Sequence, residues 1–193
     1  MKKLDHVFFC KIPFPDIFSF LPILITCNLV LDKYNISHGE KINFSINNDH
    51  VFYSIIITSS RRILTSEGID VIIIEIKPNE DNIENKSFLE IDKEIAHDDL
   101  RKIYNKRTTN ITHYENGDET KYFIGKIINI DEDRINIEHN CLTQIGSSWS
   151  PIINLNNFKV IGAHKGFDEL NLGTLLKIPI VEFNQLHKNF NIY

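Results

Sequence analysis

Hydrophobic and polar residues alternate over short stretches of the chain, and turn-forming residues separate these stretches. A period of two is typical of half-buried β-strands, whereas short continuous apolar stretches are typical of strands buried on both faces. Asn-Gly, Asn-Asn and Asp-rich pairs between the stretches indicate hairpin turns. The pattern predicts about a dozen strands, over residues 7–12, 21–26, 41–46, 50–58, 69–76, 88–91, 109–114, 121–130, 134–139, 152–155, 158–164 and 173–176.

Two segments depart from the strand pattern. Residues 92–108 are charged, lack Gly and Pro and include one helix-like stretch, so we interpret them as a connector between two groups of strands. Residues 179–190 start at a proline and can form one helix. Regular strand spacing with turns between the strands predicts barrels or a sandwich.

The composition supports a globular β protein. The chain of 193 residues contains 34 Ile, which favours strands, and 21 Asn, which favours turns. Its net charge of −5 argues against nucleic-acid binding and against binding to anionic membranes, because both need clustered positive charge.

Three widely spaced cysteines, Cys10, Cys27 and Cys141, form no CxxC pair. A disulfide framework and a cysteine zinc site are therefore not expected. The most apolar stretch, residues 17–31, is short for a membrane span and is interrupted by Pro22, so we interpret it as a buried strand. Without a signal-peptide pattern, the expected location is the cytoplasm.

No cofactor motif is present, and we expect neither a cofactor nor a metal. Glu138 and His139 lie close in sequence to Asp131 and Asp133, a combination that could suggest a metal site. The spacing matches no established metal pattern, and a solvated hairpin turn is the preferred interpretation.

The most informative segment is GSSWSP at residues 146–151, followed by a short strand, a turn and the segment GAHKG at 162–166. This order resembles the nucleophile loop of trypsin-like serine peptidases, Gly-x-Ser-Gly-Gly/Ser-Pro, and the strand that walls their specificity pocket. The resemblance implies that Ser148 is the nucleophile. It also implies that the backbone amides of Gly146 and Ser148 form the oxyanion hole.

A serine nucleophile in this family needs a histidine base, and the histidine needs a carboxylate to orient it. The family's Thr-x-x-His-Val-Leu sequence resembles TCNLVL at residues 26–31, which places Leu29 at the histidine position. The carboxylate position matches Asp70, which opens an apolar strand. The resemblance therefore implies that the nucleophile and the carboxylate are present and that the base is missing.

The residue after the nucleophile is normally glycine in this family, and here it is Trp149. A large indole at this position would bend the loop or fill part of the substrate cleft. The alternative is that Trp149 only packs between the two barrels.

The bacterial glutamyl endopeptidases of this family carry Gly-Ile-His-x-Gly in the pocket wall and a threonine five residues before the serine. The corresponding residues here are His164, within GAHKG, and Thr143. The resemblance implies that both residues, with Trp149 nearby, line a pocket for an acidic side chain, since a histidine and a hydroxyl can both donate hydrogen bonds to a carboxylate. A purely structural histidine is the alternative.

Ser147 stands where secreted trypsins carry an aspartate that pairs with a freed N-terminus, which favours an intracellular branch without a zymogen. His38 and His50 are the histidines nearest in sequence to Leu29, but both lie in predicted turns. Replacement of the missing base by either one would need hydrogen-bond contact with Ser148.

The resemblance covers nearly the whole chain and implies an all-β fold of two antiparallel six-stranded β-barrels with a C-terminal helix. Residues 1–91 form the first barrel, 92–108 the connector, and 109–193 the second barrel with the helix. We expect an inactive protease homologue that binds a peptide or protein partner, with an acidic ligand group. The alternatives are an active endopeptidase that cleaves after acidic residues with a non-standard base, and a structural subunit of an assembly.

Overall fold

The structure is a computed structural model that describes residues 3–4, 7–14, 16, 18–46, 51–115, 119–131, 133, 136–144, 147–167 and 171–188. The strands are β1 (Lys3–Leu4), β2 (Phe8–Pro13), β3 (Phe20–Thr26), β4 (Lys41–Ile46), β5 (Val51–Ile56), β6 (Ile63–Ser66), β7 (Val71–Glu75), β8 (Leu89–Glu90), β9 (Thr108–Glu115), β10 (Glu119–Ile130), β11 (Asn136–His139), β12 (Pro151–Asn154), β13 (Lys159–Phe167) and β14 (Asn171–Leu175). The helices are α1 (Pro78–Asp81), α2 (Leu100–Tyr104) and α3 (Lys177–His187), with 3₁₀ turns at Asn85–Ser87 and Lys93–Ala96.

The chain divides into two compact units. The first comprises residues 1–89 together with 179–193, and the second comprises residues 90–178. Each strand predicted from the hydrophobic pattern overlaps a strand of the structure, and the pattern missed β1 and β6. The helix-like stretch of the connector contains α2, whose first turn is capped by the Asp99 side chain accepting a hydrogen bond from the Lys102 N–H.

The first unit contains two sheets. One has the strand order β1-β4-β5, and the other has the order β6-β7-β3-β2-β8. The pairing of β1 with β4 is parallel, which differs from the all-antiparallel expectation. Over the described residues neither sheet closes, so a second closed barrel is not confirmed.

A buried arginine lies where the two sheets of the first unit meet. The Arg61 guanidinium donates to the carbonyl of Ile56, the last residue of β5, and to the carbonyl of Glu75, the last residue of β7. It also forms a two-pronged ion pair with Asp81 at 2.8 and 2.9 Å. A side chain thus binds strand-end carbonyls that would otherwise need backbone partners, because a buried C=O must be hydrogen-bonded.

The two sheets of the first unit share one hydrophobic core. β7 reads Val-Ile-Ile-Ile-Glu and is buried at every position, as expected for a strand between two neighbours with both faces covered. The core draws side chains from both sheets, including Phe9, Leu24, Phe44, Ile55 and Ile72.

The second unit is a closed six-stranded barrel with the order β10-β11-β14-β13-β12-β9, and the antiparallel pairing of β9 with β10 completes it. This confirms the barrel predicted for the second half of the chain. Isoleucines fill its interior, among them Ile111, Ile127 and Ile152, each fully buried. Gly162 allows close packing there, since an added Cβ would lie 2.6 Å from the Thr174 carbonyl oxygen.

The C-terminal helix α3 is confirmed, and from Pro179 onwards it belongs to the first unit. The buried ring of Phe183 meets Phe14 edge-on, with the ring centroids 6.0 Å apart. His187 Nε2 lies 3.1 Å from the Ile63 carbonyl oxygen. With 11 residues α3 is the longest helix among the described residues, and none of those helices is long and apolar enough to cross a membrane.

Candidate functional site

The residues implied by the family resemblance fall into two groups. Leu29 and Asp70 belong to the first unit, whereas Thr143, Ser148 and His164 belong to the second. Gly146, the implied oxyanion-hole residue, lies outside the described residues. The geometry of each group is described within its own unit.

Leu29 lies in the tight turn that follows β3. In this turn the amides of Val30 and Leu31 donate to the Cys27 carbonyl oxygen at 3.1 and 3.0 Å. The Leu29 side chain is 85% exposed, so it contributes little to the core of its unit. It has no atom that can accept a proton. Cys27, two residues earlier, is a buried thiol, and this burial raises its pKa.

Asp70 lies at the end of the hairpin turn between β6 and β7, with a left-handed backbone at φ 55°. An aspartate tolerates this conformation better than most residues. Its Oδ1 accepts a hydrogen bond of 2.9 Å from the backbone N–H of Asn28, the residue before Leu29. The Asn28 side chain in turn donates to the Ser66 carbonyl at 3.2 Å. The carboxylate therefore has a fixed backbone partner next to the implied histidine position.

The loop before the implied nucleophile is held by Ser147. Its hydroxyl donates to the Gln144 carbonyl oxygen at 2.6 Å, and its amide donates to the same oxygen at 3.1 Å. The Ser150 amide donates to the Ser147 carbonyl at 3.1 Å. Ser147 is buried and Ser148 is half-buried, so the first serine of the pair belongs to the packed loop and the second is partly accessible to solvent.

Trp149 has a left-handed backbone, with φ 64°. Glycine adopts this region without strain, whereas for a residue with a Cβ the conformation is unfavourable by about 1–2 kcal/mol. The Trp149 amide donates to the His164 carbonyl, and the His164 amide donates to the Ser150 carbonyl at 2.9 Å. The indole is only 3% exposed, so its burial offsets the backbone strain and the loop is fixed against β13.

The hydroxyl of Ser148 lies over strand β13. A Cβ added to Gly166, where φ is 151°, would be 3.8 Å from Ser148 Oγ. A side chain at residue 166 would therefore be in ordinary van der Waals contact with the hydroxyl of the implied nucleophile.

His164 is paired with a second histidine that the resemblance did not identify. Its Nδ1 lies 3.1 Å from His139 Nε2, and the two rings meet edge-on with centroids 5.1 Å apart. Both histidines are only 1% exposed. The expected solvated turn at Glu138 and His139 is therefore wrong for His139, because strand alternation in β11 turns Ile137 and His139 inwards together.

Burial and, to a smaller extent, the neighbouring His164 together lower the pKa of His139 from 6.5 to about 4. Burial disfavours the charged imidazolium, and a second imidazole nearby adds repulsion when both are protonated. His139 is therefore neutral at pH 7 and has one N–H donor and one acceptor nitrogen.

Thr143 also has a partner that sequence reasoning missed. Its hydroxyl donates to Asn171 Oδ1 at 2.5 Å. Asn171 is the first residue of β14 and lies directly opposite His139 of β11 in the strand register. The only signal in the sequence was a polar residue at the edge of an apolar strand, and that pattern does not specify its partner.

The proposed replacement bases are not brought to a catalytic position by any described contact. His38 is exposed in the first unit, and His50 lies outside the described residues. Within the part of the chain that the structure describes, no three His, Cys, Asp or Glu side chains are grouped so that they could hold a metal ion.

Solved structures with a similar fold include serine proteases. The chain is similar to a serine endoprotease from Yersinia pestis, with a TM-score of 0.61 and 9% identity over 98% of this chain and 65% of that one, just under two thirds of its length. It is also similar to the apo MamO protease domain from Magnetospirillum magneticum, with a TM-score of 0.54 and 8% identity over 83% of this chain and 82% of that one.

A third similar structure is Deg5, with a TM-score of 0.55 and 12% identity over 92% of this chain and 86% of that one. No protein-family model matches the sequence, and no curated protein matches it. At these identities the likeness shows the fold alone, which is the trypsin-like serine protease fold.

Proposed function

We propose that this chain is a catalytically inactive trypsin-like serine protease homologue that binds a peptide or protein segment through an acidic side chain. In this proposal Ser148 and Asp70 are remnants of a catalytic triad, and Leu29 replaces the histidine base. His164 and Thr143 belong to the pocket that receives the carboxylate, and Trp149 fixes the loop beside it.

The observation that carries the proposal is the state of Leu29 and Asp70. Leu29 is an exposed aliphatic side chain that cannot take a proton from a serine hydroxyl. Asp70 has a backbone N–H as partner, so its carboxylate is satisfied without an imidazole. Loss of the histidine from a serine protease triad lowers kcat by about 10⁶-fold.

The binding part of the proposal is supported by the polar groups buried in the second unit. A buried hydrogen-bonding side chain is costly unless it has a partner, so buried clusters of polar side chains occur at functional sites more often than in plain cores. His139, His164 and Asn171 are each less than a tenth exposed.

The test has a hydrolysis arm and a binding arm. Fluorogenic peptides that carry Glu before the scissile bond are incubated with the wild-type protein and with Ser148→Ala. Fluorescein-labelled nonapeptide pools with Glu, Gln or Ala fixed at the central position are then titrated in fluorescence anisotropy. We expect equal background hydrolysis by both proteins and binding of the Glu pool at least tenfold tighter than that of the Ala pool.

A matched pair of variants ties the binding to the pocket. His164→Leu removes the hydrogen-bonding ring, and His97→Leu makes the same change at a side chain that is 62% exposed in the same unit. Only the first should abolish the preference for Glu. Hydrolysis by the wild-type protein above that of Ser148→Ala would instead establish an active endopeptidase with a non-standard base, and equal binding of all pools would refute the acidic pocket.

A further inference from the structure

Five exposed cations of the second unit lie around the C-terminal half of β10. Two belong to α2, two lie between α2 and β9, and one belongs to β10 itself. We call these side chains the cationic cluster: Arg101, Lys102, Lys106, Arg107 and Lys126. The ion pairs within the described part of the chain include none of them. In a chain of net charge −5, the cluster is a local concentration of uncompensated positive charge.

Backbone contacts bring the segments of the cationic cluster together. The amide of Lys106 donates to the Ile127 carbonyl at 3.0 Å, and the amide of Ile127 donates to the Arg107 carbonyl at 3.0 Å. Lys126 is the register partner of Thr108, the residue that follows Arg107. The charges at 106, 107 and 126 therefore arise from neighbouring positions of two paired segments.

The two arginines of the cluster are held in place by carbonyl groups. Arg101 Nε donates to the Ile130 carbonyl at 2.7 Å, and Arg107 Nε donates to the Ile103 carbonyl at 2.8 Å. Neither guanidinium has a further partner among the described residues. Its two terminal nitrogens can therefore donate two parallel hydrogen bonds to a carboxylate. Because the guanidinium is already positioned, less conformational entropy is lost on binding.

The outer face of β10 adds apolar side chains next to these charges. Tyr122 and Ile124 are each 65% exposed, and strand alternation places them on the same face as Lys126. Ile127, on the opposite face, is fully buried in the barrel. Two large apolar side chains and a lysine thus follow one another along the exposed face at intervals of about 6.7 Å.

We propose that the outer face of β10 and the cationic cluster form a docking surface for a short extended segment of a partner protein. Acidic residues of the segment meet the cationic cluster, and its apolar residues meet Tyr122 and Ile124. An extended chain also presents the side chains of one face every second residue, so its spacing matches that of Tyr122, Ile124 and Lys126. This surface shares no residue with the pocket of the proposed function and does not depend on it.

The charge distribution favours a short segment over a large polyanion such as a nucleic acid or an anionic membrane. Charges act over a Debye length of about 8 Å at physiological ionic strength. A polyanion that extends past the cationic cluster therefore also meets the acidic remainder of a chain whose net charge is −5. A short acidic segment contacts the cluster alone.

The first experiment titrates fluorescein-labelled decapeptides in fluorescence anisotropy at 50 and 500 mM NaCl. The probe has Glu at alternate positions of one half, Val at alternate positions of the other and Ser between them, and it is made in both orders. Gln replaces Glu in the control peptide. We expect the Glu peptide to bind at least tenfold tighter than the Gln peptide in at least one order, and to lose at least fivefold in affinity at the higher salt concentration. Equal binding of both peptides, or binding that salt does not change, would refute the docking surface.

The second experiment separates the cationic cluster from the net charge of the chain. Lys106→Gln combined with Lys126→Gln removes two charges from the cluster and should weaken binding of the Glu peptide at least fivefold. The matched control combines Lys33→Gln with Lys86→Gln, at two exposed lysines of the first unit, and should change the affinity less than twofold. Similar losses in both double variants would show that only net charge matters and would overturn the proposal.

The third experiment tests the apolar part of the surface. Tyr122→Thr should weaken binding of the Glu peptide at least threefold, because it removes an apolar contact and keeps a residue that favours strands. The matched control is Phe52→Thr, at an aromatic side chain on β5 that is also 65% exposed, and it should bind as the wild-type protein does. Wild-type affinity in Tyr122→Thr would contradict docking along β10.

The last experiment distinguishes this surface from the pocket of the proposed function and from a polyanion site. The lysine double variant should weaken the Glu peptide whether or not His164 is replaced by Leu. Loss of binding only in His164→Leu would place the peptide in the pocket and overturn the docking surface. Phosphatidylserine vesicles and a single-stranded 20-nucleotide DNA should bind more weakly than the Glu peptide. Tighter binding of either one, lost in the lysine double variant, would assign the cationic cluster to a polyanion instead.

Discussion

Two aromatic residues of the second unit share the same unfavourable backbone conformation. Trp149 has φ 64° and Phe158 has φ 58°. Their side chains differ sharply in environment, since Trp149 is 3% exposed and Phe158 is 74% exposed. At Trp149 the burial of the indole offsets the strain. At Phe158, in the turn between β12 and β13, no comparable burial accompanies it.

This contrast predicts opposite results for the same substitution. Trp149→Gly relieves the strain but removes a buried indole, so we expect a loss of about 2–4 kcal/mol in the free energy of unfolding. Phe158→Gly relieves similar strain without loss of core, so we expect no loss and up to about 1 kcal/mol of gain. Urea denaturation of both variants measures the difference. Equal destabilisation of the two would contradict the assignment of Trp149 as a buried anchor.

The turn between β12 and β13 is held by a carboxylate from outside the hairpin. Asp92 is only 1% exposed, and its Oδ2 accepts from the side-chain amides of Asn154 and Asn157 at 2.9 and 3.0 Å. Its Oδ1 accepts from the backbone N–H of Glu94 at 3.1 Å. Asp92, the first residue of the predicted connector, therefore links the turn between β12 and β13 to the 3₁₀ turn that follows Asp92.

We expect Asp92→Ala to lower the free energy of unfolding by about 2–4 kcal/mol, because the two asparagine amides lose a buried charged acceptor. Hydrogen exchange should show the loss of protection first in β12 and β13. The matched control is Asp98→Ala, because the Asp98 side chain is 94% exposed and its carboxylate lies 3.5 Å from the Lys177 ammonium. That control should change stability by less than about 0.5 kcal/mol. Similar effects of both variants would contradict the role given to Asp92.

At the scale of the whole molecule, each unit contains a buried histidine with a lowered pKa. His139 of the second unit has a pKa of about 4. Burial also lowers the pKa of His187, which lies on α3 in the first unit. Both are therefore neutral in the folded protein at a pH where the unfolded chain is already protonated.

At these two histidines the unfolded chain binds more protons than the folded protein below about pH 6.5, so their contribution to stability decreases as the pH falls. For His139 the loss occurs between about pH 6.5 and pH 4 and amounts to about 3 kcal/mol. Urea denaturation at intervals from pH 8 to pH 4 measures it. His139→Gln should flatten this part of the profile, whereas His97→Gln should leave it unchanged. A profile that is flat in the wild-type protein would refute the buried neutral histidine.

The sequence predicted the strands well because their signal is local. The alternation in β4 and the continuous apolar residues of β7 indicate each strand and its burial from a few neighbouring residues. The arrangement of the first unit as two sheets, neither of which closes over the described residues, was not predictable in this way. Arg61 binds the carbonyls at the ends of β5 and β7, and its ion-pair partner Asp81 follows it by 20 residues.

The candidate site shows the same limit. The motif at 146–151 and His164 predicted a nucleophile loop and a pocket strand. His139 and Asn171 were missed, because the role of each depends on a hydrogen-bond partner that is distant in the sequence. The likeness to solved serine proteases supports the fold of this site and leaves its chemistry to these particular residues.

The sequence by itself determined that the chain is rich in strands, that residues 146–151 resemble a trypsin-like serine loop and that Leu29 stands at the position where this resemblance expects a histidine. These features depend on residue type and on neighbours in the chain. Only the tertiary structure decided that one half closes into a barrel, that Asp70 accepts the Asn28 amide and that His139 pairs with His164. These depend on hydrogen bonds between distant segments, whose partners are selected only when burial excludes water.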